Sequence, residues 1–341
     1  MKNVNKLTFV LSLVLIFFIT SVSAPTLPVL ADAPPPYTVY LPAVRRDGLA
    51  DKVNPQERQA SLNFYETAYL GSSGAANWTG SQAGCVPGGT DANFKLAVLQ
   101  RINYFRAMAG VPAKITFSDT SNRLAQAAAL IMSANNTLNH SPTSNMKCYS
   151  TDGKTGAGSS NLAIGMYGWD AISLYMMDSG VGNNFAGHRR WILYPRTQVM
   201  GTGDVPGGSG YSPTNALRVF GDLALPARPA TREEFVAWPP PGFVPYPVVF
   251  ARWTFSYDGA DFSAATVGMS AKGTNWTVSQ AVPVNGYGEN TLVWIPNGMG
   301  DSAGWPNPGS DMTISVNLHN VKINGVNRDF SYAVIVFDPG S

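Results

Sequence analysis

The segment "NNFAGHRRWILYPRTQVMGTGDV", residues 183–205, joins one of the three histidines of the chain to an apolar run and a glycine-punctuated tail. The apolar residues after His188 predict a short turn of helix, and "TQVMGTGDV" has the composition of a strand bounded by turn residues. A histidine placed before an apolar anchor can be structural, half of a metal site or half of a catalytic pair. Other parts of the chain narrow these alternatives.

Helical patterns precede this segment, and strands follow it. A first helix is predicted through "QASLNFYETAYL", a third from Ser118 and a fourth from about Trp169 to Asp178. The second is marked by five apolar residues at helical spacing and ends at Gly110 and Pro112: Phe94, Val98, Ile102, Phe105 and Ala109. With "ALRVFGDL" as a further strand, the fold class expected for the first region is α+β.

The pattern changes after a second proline cluster, "AWPPPGFVPYPVVF". Short β-branched and aromatic runs separated by turn residues then predict an all-β sandwich of immunoglobulin-like size. The boundaries expected from composition are a first domain over residues 54–228, a proline-rich linker over residues 229–250 and the sandwich over residues 251–341. Four sandwich tryptophans could pack in the core or form a sugar-stacking platform: Trp253, Trp276, Trp294 and Trp305.

The N-terminus has the pattern of an export signal. Lys2 and Lys6 precede an apolar run that is too short to span a bilayer. Cleavage is predicted after Ala31, which makes residues 1–31 a signal peptide, with an uncleaved membrane anchor as the alternative. Residues 32–53 contain three consecutive prolines and are predicted to be an extended tether.

Charge and cysteine content restrict the possible partners. The formal charge is +2, and removal of the two signal-peptide lysines takes it to 0, with 13% charged residues in the whole chain. Such a chain lacks the basic surface that nucleic-acid binding requires. No membrane span is expected after signal cleavage.

Cys85 and Cys148 are the two cysteines, and an even count in an exported protein predicts one disulfide, with two buried free thiols as the alternative.

Several short motifs occur in order between residues 96 and 204: "NYFR", "LNHS", "SNLA", "YMMD" and "GHRRWIL". In this order they resemble the CAP superfamily of cysteine-rich secretory proteins, insect venom antigens and plant pathogenesis-related proteins. The "GHR" followed by an apolar run is most similar to the bacterial branch. The resemblance implies an α-β-α sandwich with a central cleft, where two histidines and two acidic residues converge and in some members hold a divalent metal.

Carried over to this chain, the resemblance places the histidines at His140 and His188 and one acidic residue at Asp178. The second acidic position, in a glutamate–asparagine pair, falls on Ser160-Asn161, which supplies no carboxylate. The expected cleft therefore contains His140, Ser160, Asp178 and His188. His140 and His188 would bind a divalent metal such as zinc weakly, while Asp178 would orient His188.

Three arginines and the last histidine are assigned structural roles. Arg106 is expected to make structural hydrogen bonds within the first region. Arg189 and Arg190 could form an anion site, but a solvated face with one salt bridge is the simpler interpretation. His319 is expected at the surface of the sandwich.

These observations predict a secreted or cell-surface protein that binds a lipid, a glycan or a protein without catalysis. The sequence has no nucleophile elbow, HExxH motif or phosphate-binding glycine loop. One alternative is a hydrolase in which Ser160, a histidine and Asp178 act as nucleophile, base and orienting group. Another is cell-wall or polysaccharide binding through the C-terminal β-domain.

Overall fold

Helices dominate the first part of the chain in the computed structural model, which describes residues 52–221 and 225–341. The helices are α1 (Arg58–Phe64, continued by a π-helical turn over Tyr65–Leu70), α2 (Ala92–Met108), α3 (Asp119–Asn135), α4 (Thr151–Gly158), α5 (Gly168–Met177) and α6 (Gly187–Ile192). The side chain of Asp91 caps α2 and that of Ser118 caps α3, each by accepting a backbone N–H bond. The predicted signal peptide and nearly all of the predicted tether lie outside the described residues.

One mixed sheet lies among these helices. Its strands are β1 (Thr116–Phe117), β2 (Ser160–Ile164), β3 (Val199–Val205) and β4 (Thr214–Arg218), in the order β1-β3-β4-β2. The β1–β3 pair is parallel, and the other two pairs are antiparallel. β2 is an edge strand of this sheet, and α5 and then α6 follow it along the chain.

Helices cover both faces of this sheet. Leu162 and Ala216 share a hydrophobic cluster with the alanines of α3. Their chain neighbours Ala163 and Leu217 belong to the other cluster, which includes residues of α2 and α5. Successive strand residues point to opposite faces, so this division places the sheet between two helical layers. The predicted α+β class and α-β-α sandwich are confirmed.

Glycines in β3 allow α3 to lie directly on the sheet. A Cβ atom added at Gly203 would lie 2.1 Å from the carbonyl carbon of Ala125, and one added at Gly201 would lie 2.3 Å from that of Ser121. Neither distance is possible for a real side chain. The glycines of the "TQVMGTGDV" tail thus set the close helix–sheet contact of the first region.

Two further sheets form the C-terminal sandwich. Their strands are β5 (Val236–Trp238), β6 (Gly242–Pro245), β7 (Trp253–Tyr257), β8 (Thr266–Ala271), β9 (Thr274–Trp276), β10 (Val278–Gln280), β11 (Asn290–Pro296), β12 (Met312–Ile323) and β13 (Val326–Phe337). One sheet has the order β10-β11-β7-β5 and the other β6-β13-β12-β8-β9. The predicted all-β C-terminal region is confirmed.

The segment predicted as a linker, residues 229–250, is folded into the sandwich. It supplies β5 to one sheet and β6 to the other. Trp238 is fully buried, and its ring lies 5.0 Å from that of Phe105 in α2. An exposed linker is therefore wrong here, because the apolar residues between the prolines pack into the core. Residues 52–221 and 225–341 form one compact unit, and the proposed division into two domains stays a prediction.

The sandwich tryptophans mostly lie inside the core. Trp253, Trp294 and Trp305 are buried, and the rings of Trp253 and Trp305 lie 5.3 Å apart. These three rings cannot stack on a sugar and pack in the core, so a four-tryptophan platform is wrong, whereas Trp276 is only partly buried. Polysaccharide binding by these tryptophans loses its structural basis.

The predicted disulfide is present. Cys85 and Cys148 are bonded across a sequence separation of 63 residues, with their Cα atoms 4.9 Å apart. The bond joins the segment before α2 to the segment before α4. Among the described residues, no helix has both the length and the apolar character that a membrane crossing needs.

Candidate functional site

A cleft of about 860 Å³ opens beside β2, α5 and α6. All four residues expected in a cleft line it: His140, Ser160, Asp178 and His188. They come from four different segments of the first region. The structure therefore brings together in one cleft the four residues that the ordered motifs implied.

Asp178 holds His188 in one orientation. Asp178 follows the last residue of α5 in the left-handed conformation, with φ of 54°, which a short polar side chain tolerates. Its buried Oδ1 accepts a hydrogen bond from Nδ1 of His188 at 2.7 Å, and its Oδ2 accepts one from the backbone N–H of Arg189 at 3.1 Å. The contact makes Nδ1 the protonated nitrogen of a neutral His188 and leaves Nε2 as the other ring nitrogen.

Tyr175 and Asn161 complete the support of His188. The Tyr175 ring stacks on the His188 ring at 5.3 Å, and the Asn161 side chain donates to the His188 carbonyl at 3.0 Å. The Tyr175 hydroxyl donates to Oδ1 of Asn215 at 2.8 Å. Burial raises the pKa of Tyr175 well above its usual value, so this hydroxyl stays protonated. We call Asn161, Tyr175, Asp178 and His188 the floor of the cleft.

A buried carboxylate lies behind the floor. Asp204 in β3 accepts hydrogen bonds from the Asn215 side chain at 2.7 Å, the Thr202 hydroxyl at 2.7 Å and the Gly168 backbone N–H at 2.6 Å. Desolvation raises the pKa of Asp204, and these three hydrogen bonds act in the opposite direction. Asn215 thus connects Asp204 to Tyr175. Sequence analysis did not single out Asp204, because an acidic residue within a strand gives no local signal of burial.

Ser160 lines the cleft without contacting a base. Its hydroxyl donates to the Gly156 carbonyl at 2.7 Å. Within residues 52–221 and 225–341, no hydrogen bond joins Ser160 to His140 or His188. A serine nucleophile needs a neighbouring base to take its proton. The structure brings the three hydrolase candidates to one cleft but does not join them as a triad.

His140 is held at the cleft by a backbone contact. Its Nδ1 donates to the Ala157 carbonyl at 2.9 Å, which leaves Nε2 as the remaining ring nitrogen. His319 is exposed in β12, as expected, and bonds Asp329 at 2.7 Å.

The donor set in the cleft does not fit a complete metal centre. No group of three or more His, Cys, Asp or Glu side chains in the described part of the chain is arranged to hold a metal ion. Both oxygens of Asp178 are engaged by His188 and Arg189. Catalytic zinc sites use three protein ligands. Of the imidazole and carboxylate donors that the described residues bring to the cleft, Nε2 of His140 and Nε2 of His188 remain for a cation.

Arg189 and Arg190 are buried, so the predicted solvated pair is wrong. Arg189 donates to the carbonyls of Met176 and Arg252, both at 2.7 Å. Burial lowers the pKa of its guanidinium to about 9. The two side chains face the strands and loops of residues 251–289, whose carbonyls take the place of water.

Arg106 has the structural role expected of it. The guanidinium is fully buried and donates to the carbonyls of Pro112, Ile192 and Tyr194 at 2.6–2.9 Å. These bonds tie the end of α6 to α2. Because α6 starts with Gly187 and His188, Arg106 also fixes the position of the cleft.

Four aromatic rings form one side of the cleft, which we call the aromatic wall: Phe185, Trp191, Phe220 and Tyr287. Phe185 lies 4.7 Å from Tyr287, and Trp191 lies 4.9 Å from Phe220. Tyr287 comes from the loop between β10 and β11. The wall has no local signal in the sequence, because nothing near Tyr287 in the chain relates it to "GHRRWIL".

Comparison with known families agrees with this geometry. Residues 99–220 match the CAP family model, described as the cysteine-rich secretory protein family. The matched range contains β1–β4, the floor and both cleft histidines, and it ends at Phe220. No curated protein matches the chain.

Proposed function

We propose that this chain, which contains a CAP domain, is an extracellular, non-catalytic protein that binds a ligand in the cleft of that domain. The observation that carries the proposal is the hydrogen bonding of the Ser160 hydroxyl. Its hydroxyl is directed to the Gly156 carbonyl, while the His188–Asp178 pair is already complete without it. The disulfide and the family match support an extracellular location.

The cleft has the size and composition of a ligand site. Its volume of about 860 Å³ falls in the range of small-molecule pockets. Large apolar side chains remain exposed around it, including Leu138, Phe220 and Tyr287. Contiguous exposed apolar surface on a folded protein commonly marks a binding site. The fixed polar floor would supply orientation to a ligand bound there.

Assays of ester, peptide and glycoside hydrolysis test the non-catalytic character. We expect no turnover by the wild-type protein, because no described contact lets a base take the Ser160 proton. Ser160→Ala is the decisive variant, and Ser141→Ala is a matched control at another serine that lines the cleft. Turnover that disappears in Ser160→Ala and persists in Ser141→Ala would establish the hydrolase instead.

A weak divalent-cation site at His140 and His188 is a second proposal. It is supported by the position of both rings in one cleft, each with Nδ1 engaged and Nε2 left. Zinc accepts imidazole ligands, and two of them give weaker binding than a three-ligand centre. Calorimetry with zinc should show heat that both His140→Ala and His188→Ala abolish. Equal heats from all three proteins would exclude this site.

A further inference from the structure

The loop between β10 and β11, residues 281–289, is seated on α6. Arg190 donates to the carbonyl of Val284 at 2.7 Å and to that of Glu289 at 3.0 Å, so one guanidinium holds the middle and the end of the loop. Gly288 has φ of +69°, and an added Cβ would lie 3.2 Å from the Arg190 carbonyl oxygen. Glycine at this position permits the close approach. The sandwich therefore contacts the CAP domain through a defined loop.

This loop carries Tyr287 to the cleft. The Tyr287 ring lies 4.7 Å from Phe185 and 6.4 Å from Trp191, and the Arg190 guanidinium lies 5.7 Å from its centroid. Tyr287 is 36% exposed and Phe220 is 43% exposed. The wall thus keeps aromatic surface accessible to solvent, whereas Trp253, Trp294 and Trp305 are buried in the sandwich.

The charges that line the cleft indicate a neutral ligand. Among the described residues that line it, Asp178 is the one carboxylate, and none is lysine or arginine. Asp178 is already paired with His188 and the Arg189 N–H. A phosphate, sulfate or carboxylate group would find no lysine or arginine to pair with at this surface. The remaining polar groups are amides, hydroxyls and imidazoles, such as those of Asn161, Ser179 and His140.

A neutral sugar is a suitable ligand for a cleft in which aromatic faces lie beside amide and imidazole groups. A pyranose sugar presents a face of C–H groups, which packs on an aromatic ring, and a rim of hydroxyls, which both donate and accept hydrogen bonds. Nε2 of His188 is left open by the bond of Nδ1 to Asp178, and a lipid chain would offer it no partner when it displaced water. The chemistry of the cleft therefore matches a neutral sugar better than an acyl chain.

We propose that the cleft binds a neutral glycan and that Tyr287 packs against a sugar ring, which makes the β-sandwich a specificity-determining part of the CAP cleft. The inference rests on the proposed binding function and assigns its ligand class. It gives the C-terminal region a role in the same site rather than a separate one.

Calorimetric titration with neutral trisaccharides (cellotriose, maltotriose and chitotriose) tests this inference on the full secreted chain. We expect at least one to bind, and Tyr287→Ala to raise its Kd about tenfold through loss of the ring contact. Tyr287→Phe keeps the ring and should stay close to wild type. Val282→Ala is the matched control, because Val282 lies in the same loop, is 80% exposed and does not line the cleft.

Each other outcome overturns one named statement. If Asn161→Ala weakens trisaccharide binding but Tyr287→Ala does not, the role of Tyr287 is wrong and the binding function stands. If no trisaccharide binds while vesicles of a zwitterionic phospholipid do, the glycan class is wrong. If none of these probes binds, the glycan class is likewise wrong. Hydrolysis of a bound trisaccharide by the wild-type protein would overturn the non-catalytic function itself.

Discussion

The floor and the aromatic wall face the same cleft, but they are held in opposite ways. The floor consists of residues whose polar groups are bonded to neighbours, as in the pairs His188–Asp178 and Asn161–His188. The wall consists of rings that contact one another and remain partly exposed, such as Phe220 and Tyr287. Groups bonded in this way are held in fixed orientations, whereas an exposed ring gains by being covered. The difference indicates a rigid scaffold beside a recognition surface.

Removing the disulfide should have the largest effect on stability and leave both regions intact. Cys85 and Cys148 close a loop with a sequence separation of 63. The chain-entropy model gives about 4 kcal/mol for such a loop, so Cys85→Ala/Cys148→Ala should lower the free energy of unfolding by up to that amount. Urea unfolding measures the loss, with reduced wild-type protein as the control. An unchanged free energy of unfolding would show that the bond adds no stability.

Replacing Arg189, which lies beside the floor, should lower the free energy of unfolding by somewhat less than removal of the disulfide. Arg189→Met leaves the carbonyls of Met176 and Arg252 buried without their donor. We expect a loss of about 3 kcal/mol in the free energy of unfolding. Arg196→Met is the control, because Arg196 pairs with Asp258 near the surface and should contribute less than about 1 kcal/mol. Equal losses in the two variants would contradict the structural role of Arg189.

Asp204, the buried carboxyl group behind the floor, should make the free energy of unfolding depend on pH. The pKa of Asp204 is raised in the folded protein, so the folded state retains this proton over a range where the unfolded state has lost it. The contribution is thus present at low pH and is lost as pH rises through the raised pKa. In Asp204→Asn this loss is absent, so the variant should gain stability relative to wild type as the pH rises above the usual aspartate pKa of about 4.

Parallel profiles of the free energy of unfolding against pH for wild type and Asp204→Asn would contradict this prediction. Asp329→Asn is a control of opposite sign. The pKa of exposed Asp329 is lowered by its bonds to His319 and the Asn320 N–H, so that contribution is lost as pH falls through the lowered pKa.

The sequence identified the floor better than the wall for a physical reason. His188 and Asp178 lie within ten residues of one another, and the motifs around them keep their order along the chain. Tyr287 lies about one hundred residues further on, and its contact with Phe185 depends on how a loop folds back. Local spacing carries information about local geometry only.

The burial of Arg189 and Arg190 and the formation of helix α4 also depend on tertiary contacts, which local spacing in the sequence does not reveal. Arg189 and Arg190 have the charge of surface residues, and their burial depends on carbonyls from residues 252–289. Helix α4, "TDGKTGAG", has three glycines and no large apolar residue, so no periodic pattern marks it. It forms because Gly156 fits against α3, where a Cβ would lie 2.0 Å from the Leu124 carbonyl oxygen. Tertiary packing here outweighs helix propensity.

Indole N–H signals from ¹⁵N-labelled tryptophan test the central claim that the wall, and not the sandwich core, receives the ligand. Trp191 is in the wall, whereas Trp253 and Trp294 are buried in the sandwich. Titration with a trisaccharide that binds should shift the Trp191 signal, assigned by its absence in Trp191→Phe, and leave the signals of Trp253 and Trp294 in place. A titration that shifts the signal of Trp276 in β9 while that of Trp191 stays fixed would contradict the account.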